Sequence, residues 1–172
     1  CTAANAAGAD VDSDGDVDFC LAGVWKDCST DAQCPAGFTC GANDCADITG
    51  PTGGSVTHFD GLQNPTTIIV TVNRGTDVGS GMSATNSDYL LEVRTATLSG
   101  STCGSFGSWG NAGVAEVATA TSYTTSGSIN TCYQFRYTSR DTIGNASTFT
   151  STDTTKITGS CTQGSFCQSG LC

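Results

Sequence analysis

The chain has 172 residues, with sixteen acidic residues against six Lys and Arg, eleven cysteines and one histidine. That balance excludes nucleic acid and anionic membrane surfaces as partners, because both are bound by clustered Lys and Arg that displace counterions. The longest apolar run, Ile68-Ile69-Val70, falls far short of the ~20 residues that cross a bilayer, so no transmembrane segment is expected.

The acidity is uneven. Residues 1–47 hold nine acids and one base, Lys26, for a balance of 1 − 9 = −8, whereas residues 48–172 hold seven acids and five bases, 5 − 7 = −2. Its centre is Asp10-Val11-Asp12-Ser13-Asp14-Gly15-Asp16-Val17-Asp18. Five like charges at alternate positions repel one another, and a bound dication relieves that repulsion. Asp10, Asp12, Asp14, Asp16 and Asp18 match positions 1, 3, 5, 7 and 9 of a calcium loop, and Gly15 stands at position 6, where the chain must bend. Asp16 would coordinate through its carbonyl. Position 12 is Leu21 rather than a bidentate Glu, so Asp27, Asp31 or water would complete the shell. A solvated acidic linker is the alternative, but it leaves the glycine unexplained. The flanks offer no pair of amphipathic helices, so the ion is expected to be structural.

Next comes Cys28-x5-Cys34-x5-Cys40-x4-Cys45. Zinc sites favour tight C-x2-C pairs, often with His, so these longer spacings predict disulfides and an oxidising, extracellular or cell-surface setting. Residues 30–40 are turn-rich and poor in apolar groups, and need cross-links and metal to hold them. Trp25 and Phe38 are expected to plug a small core.

Residues 50–158 read as strands. A first covers Val56 and His58. Thr67-Ile68-Ile69-Val70-Thr71-Val72 is β-branched and buried. Arg74 opens a loop running to Gly81. Tyr89, Leu91 and Val93 alternate with Leu90, Glu92 and Arg94. Shorter strands are expected over 114–117 and 120–124. In Cys132-Tyr133-Gln134-Phe135-Arg136-Tyr137 the aromatics share one face. Asp141-Thr142-Ile143-Gly144-Asn145 turns into a last strand at 147–150. Short strands separated by turn signals predict an all-β, antiparallel β-sandwich. The Ser/Thr-rich surface would accept O-linked sugars, and Asn145-Ala146-Ser147 is an N-glycosylation triplet.

Residues 159–172 contain Cys161-x5-Cys167-x4-Cys172, which repeats the spacing Cys34-x5-Cys40-x4-Cys45. No leader is recognisable, so a mature chain or a fragment is expected.

Residues 10–20 resemble the D-x-D-x-D-G-x-x-D-x-C units of thrombospondin type 3 repeats, which implies calcium held in a disulfide-linked segment with little regular structure. The block from 71 to 145 resembles immunoglobulin-like or fibronectin type III-like modules of bacterial surface proteins. The pieces that carry this likeness are Thr71-Val72-Asn73-Arg74-Gly75-Thr76-Asp77, Ser80-Gly81, Thr102-Cys103-Gly104-Ser105-Phe106-Gly107, Thr131-Cys132-Tyr133 and Asp141-x-x-Gly144-Asn145. It implies a Cys103–Cys132 pair, and the segment 28–45 is similar to Cys-rich linkers found beside such modules. Their D-x-x-G-N turn binds calcium in some cases; a hairpin turn is the simpler reading here.

Eleven cysteines cannot all pair within one chain. Cys1 would be acylated, or a terminal cysteine would bridge to a neighbour, or its partner lies beyond the sequence. One histidine, no G-x-S-x-G, no zinc motif and no C-x-x-C argue against an enzyme. Two functions remain. One is a calcium- and disulfide-stabilised subunit of an extracellular filament or surface stalk, self-associating head to tail. The other is an adhesin or lectin-like module, with Trp109 and Phe106 stacking on a glycan. A core or interface plug is the plainer role for Trp109.

Overall fold

The computed structural model of the chain describes residues 19–21, 24–26, 28, 30–34, 36–42 and 44–159. It divides into two units, Cys1–Thr49 and Gly50–Cys172. The aspartates at 10, 12, 14, 16 and 18, with Cys1, Asp27 and the cysteine repeat at 161–172, lie outside the described residues.

In the first unit β1 (Phe19–Leu21) pairs with β2 (Val24–Lys26), and β3 (Phe38–Gly41) with β4 (Asp44–Asp47), both antiparallel. These hairpins stand where composition predicts little regular structure. A 3-10 turn, Asp31–Gln33, precedes β3 and is closed by a capping box between Thr30 and Gln33. Disulfides Cys28–Cys40 and Cys34–Cys45 cross one another, and Cys28 is fully buried. Cross-links, rather than apolar area, hold this unit.

The second unit is an all-β sandwich. Its back sheet has the order β11 (Ser122–Ser126), β7 (Thr67–Asn73), β5 (Ser55–His58). Its front sheet runs β10 (Gly110–Asn111), β8 (Leu90–Ser99), β12 (Thr131–Arg140), β14 (Thr155–Ile157), β6 (Gly61–Gln63). β13 (Ala146–Thr150) also pairs with β12, and β9 (Thr102–Cys103) with β8. All pairs are antiparallel except β14 with β6. Alternation decides what each strand buries. β7 turns Ile68, Val70 and Val72 inward and Thr67, Ile69, Thr71 and Asn73 outward. β12 turns Tyr133, Phe135 and Tyr137 inward, where they meet Leu91, Tyr89, Val56, Tyr123 and Ile157 in one core.

Three differences from the sequence reading have local causes. No strand forms at 114–117. Asn111 instead accepts the Gly113 N–H at 2.6 Å, and the Asn86 side chain holds Ala118 N–H at 2.9 Å, so the segment crosses the core edge as a loop. The strand expected over 120–124 lies at Ser122–Ser126, where it pairs with β7. The short β6 pairs only with β14, in parallel, while β14 is held between β6 and β12, and nothing in so few residues marks either strand locally. Among the described residues no helix is long and apolar enough to cross a membrane.

Candidate functional site

The outer face of the front sheet carries the largest concentration of unusual side-chain chemistry. It begins with a change of phase in β8. Leu91 points into the sandwich, but further along Ala96 and Leu98 are buried while Thr95 and Thr97 are exposed. The even positions face away from the main core. A second core therefore forms outside the sandwich, from Ala96, Leu98 and Cys132 with Leu62, Cys103 and Phe106 packed on it.

Residues 100–111 cover that patch and are clamped at several points. Cys103 is disulfide-bonded to Cys132, at a Cα separation of 6.0 Å. Gly104 N–H and Gly107 N–H donate to the carbonyls of Thr97 and Thr95 at 2.8 and 3.0 Å, and β10 pairs with Val93 and Glu92. The bridge thus joins β9 to β12 within one sheet, on its outer side, instead of linking two sheets through the core.

The clamp lays aromatic rings over two arginines. The Arg94 guanidinium carbon lies 5.2 Å from the Phe106 ring centre and 4.5 Å from that of Trp109; Arg136 lies 4.9 Å from Trp109. The arginines differ in what neutralises them. Arg136 makes a two-pronged ion pair to Glu92, at 2.6 and 2.9 Å, which raises its already high pKa. Arg94 donates Nε to Gln134 Oε1 at 2.9 Å and has no carboxylate partner among the described residues. Gln134 is itself fixed by Thr154 Oγ1 at 2.9 Å. Trp109, half-buried, therefore has two guanidinium groups within 5 Å of its ring centre.

A second cluster lies at the pole of the sandwich where the chain enters. Asp77 and Asp141 carry carboxylate oxygens within 4.8 Å of one another, though 64 residues apart in sequence. Asp141 is buried. Its Oδ1 accepts the N–H groups of Ile143, Gly144 and Asn145, and Oδ2 accepts Asn145 Nδ2 at 2.7 Å. Asp77 accepts Gly81 N–H at 2.7 Å. The D-x-x-G-N segment is thus the expected hairpin turn, with its carboxylate bonded to its own backbone. No local pattern in the chain places Asp77 beside it. Asn145 is half-buried and its Nδ2 donates to Asp141, which ties the side chain of the glycosylation triplet into the turn.

Asp31, one of the residues suited to completing a calcium shell, is exposed and bonded within its own unit. It accepts Thr39 Oγ1–H at 2.8 Å and Cys40 N–H at 2.9 Å, and these bonds, the backbone one foremost, hold its carboxyl below the usual range.

His58 Nδ1 lies 2.8 Å from Thr155 Oγ1 and 3.3 Å from the Phe59 carbonyl. Thr155 Oγ1 donates to that same carbonyl at 2.6 Å, so we assign the imidazole proton to Nδ1. Nε2 is buried without a partner among the described residues. Thr155 is fully buried and its proton is directed away from the ring, so the pair is not arranged as nucleophile and base.

Comparison with protein-family models, curated proteins and solved structures yields no match to this chain.

Proposed function

We propose that the chain is a structural module of an extracellular filament or surface stalk, stiffened by disulfides and calcium, and not an enzyme. The observation that carries this reading is the path of the chain through the sandwich. At one pole Gly50 packs so closely on Ala146 that an added Cβ would lie 2.7 Å from the Ala146 carbonyl carbon, and Ala146 pairs with Arg140 at the end of β12. At the other pole Ile157 pairs with Thr131 at the start of β12. Ten residues of β12 at about 3.4 Å each put entry and exit roughly 30 Å apart. A module entered at one pole and left at the other suits a linear array, with load carried along its strands. Three disulfides among the described residues fit an oxidising, extracellular location. Calcium on Asp10, Asp12, Asp14, Asp16 and Asp18 would supply in the acidic segment the rigidity that its composition cannot.

Electron microscopy of purified full-length chain tests the reading: polymers are expected. Discrete monomers that are retained on a glycan array would favour the adhesin reading instead.

A further inference from the structure

The strands of the front sheet carry four basic residues, Arg94, Arg136, Arg140 and Lys156, and a single acid, Glu92. All four bases sit on the outward side. Arg94, Arg136 and Arg140 occupy even positions on β8 and β12, opposite the inward Leu91, Phe135 and Tyr137, and Lys156 is the register partner of Cys132. In a chain of net charge −10 this is a local excess of three positive charges, 4 − 1 = +3. The one acid on the face is already paired with Arg136.

Arg94 is the distinctive group. Two aromatic rings and Gln134 fix its guanidinium, and stacking leaves the in-plane N–H donors open. A guanidinium held in place and not neutralised is a receptor for a carboxylate, because the cost of immobilising the side chain falls on folding rather than on binding. The disulfide and the strand contacts of residues 100–111 make the surface pre-formed.

We propose that this face docks the aspartate run, residues 10–18, of a second copy of the chain. Charge complementarity carries the choice of occupant. The run holds five carboxylates in nine residues, and one bound dication still leaves −5 + 2 = −3. Every copy presents both the run and the basic face, so the contact is heterologous and repeats. The inference rests on the filament reading for its second copy and names the surface through which the copies join.

The test is sedimentation velocity of the full-length chain at 50 and at 500 mM NaCl, using wild type, Arg94→Glu and the double variant Asp12→Lys/Asp14→Lys. Association is expected to weaken about tenfold or more in each variant alone and at the higher salt. An equimolar mixture of the two variants is expected to restore the contact as heterodimers, because only one copy keeps the run and only the other keeps the face, so the pairing forms but does not propagate. Arg140→Glu, an exposed site away from the aromatic rings, serves as the second variant if Arg94→Glu disturbs the fold. Association unchanged in the variants overturns the proposal, as does a mixture no better than its components. Binding of polygalacturonate that is lost in Arg94→Glu while self-association persists would also overturn it, making the face a saccharide site. Polymers that survive Arg94→Glu refute this interface alone. A charge-swappable association without polymers refutes the filament reading alone.

Discussion

Among the described residues, two buried polar atoms without partners mark where single residues govern stability. His58 packs edge-on against Phe135, with ring centres 5.0 Å apart. Burial holds its pKa below 6.5 despite the opposing pull of Asp153, the Phe59 carbonyl and Asp60. The unfolded chain therefore takes up the proton first. The stability conferred by the neutral ring is complete above pH 6.5 and is lost as pH falls through the lower folded value. Thermal unfolding from pH 7.5 to 5 should show this slope in wild type, and His58→Leu should flatten it. Tyr137 is fully buried, and its Oη has no hydrogen-bond partner. Burial, with the neighbouring Tyr123 phenol, pushes its ionisation far above the usual range. A desolvated hydroxyl of this kind costs stability, so Tyr137→Phe should leave the protein as stable as wild type or up to ~1 kcal/mol more stable by urea denaturation. A loss of about that size would mean that Oη is bonded to Tyr123 in solution.

Among the elements, β8 shows best what alternation reveals and what it hides. Its first half reads correctly as inward Leu91 and Val93 against outward Glu92 and Arg94. Its second half buries the opposite parity, because residues 102–111 run along its edge and lay Cys103 and Phe106, with Leu62, against Ala96 and Leu98. That cover depends on Cys103–Cys132, which spans 29 residues. Replacing both cysteines by alanine removes the constraint on the unfolded chain, worth about 3–4 kcal/mol in the loop-entropy model. The fall in unfolding free energy should come with faster amide exchange in residues 100–111, while Val70 and Phe135 in the main core remain protected. Uniform exchange throughout the sandwich would show that the outer core is not a separable layer. The short β6 and β14 were illegible for the reason that hid the 110–119 path: their geometry is set by hydrogen bonds to distant chain, not by a local pattern.

For the molecule as a whole, charge and cross-linking are unevenly shared, and so should be the response to metal removal. Chelator, or Asp12→Asn with Asp14→Asn, is expected to speed proteolysis within residues 1–47 by tenfold or more while the sandwich stays intact, because the calcium proposed there would couple its binding to local folding. Equal proteolysis with and without chelator would remove calcium from the account. The sequence by itself determined the strand-rich class, the strand at β7 though not that Ile69 faces outward, the shared face of the β12 aromatics, the hairpin at 141–145 and the segregation of acid to residues 1–47. These follow from period-two alternation, β-branched content, turn residues and charge, all of which act between near neighbours in the chain. Only the tertiary structure decided that Asp77 stands beside Asp141, that Trp109 lies over two arginines, and that Cys103–Cys132 sits outside the sandwich. Those contacts join segments from 15 to 64 residues apart, and strand register, which no local pattern encodes, brings them together.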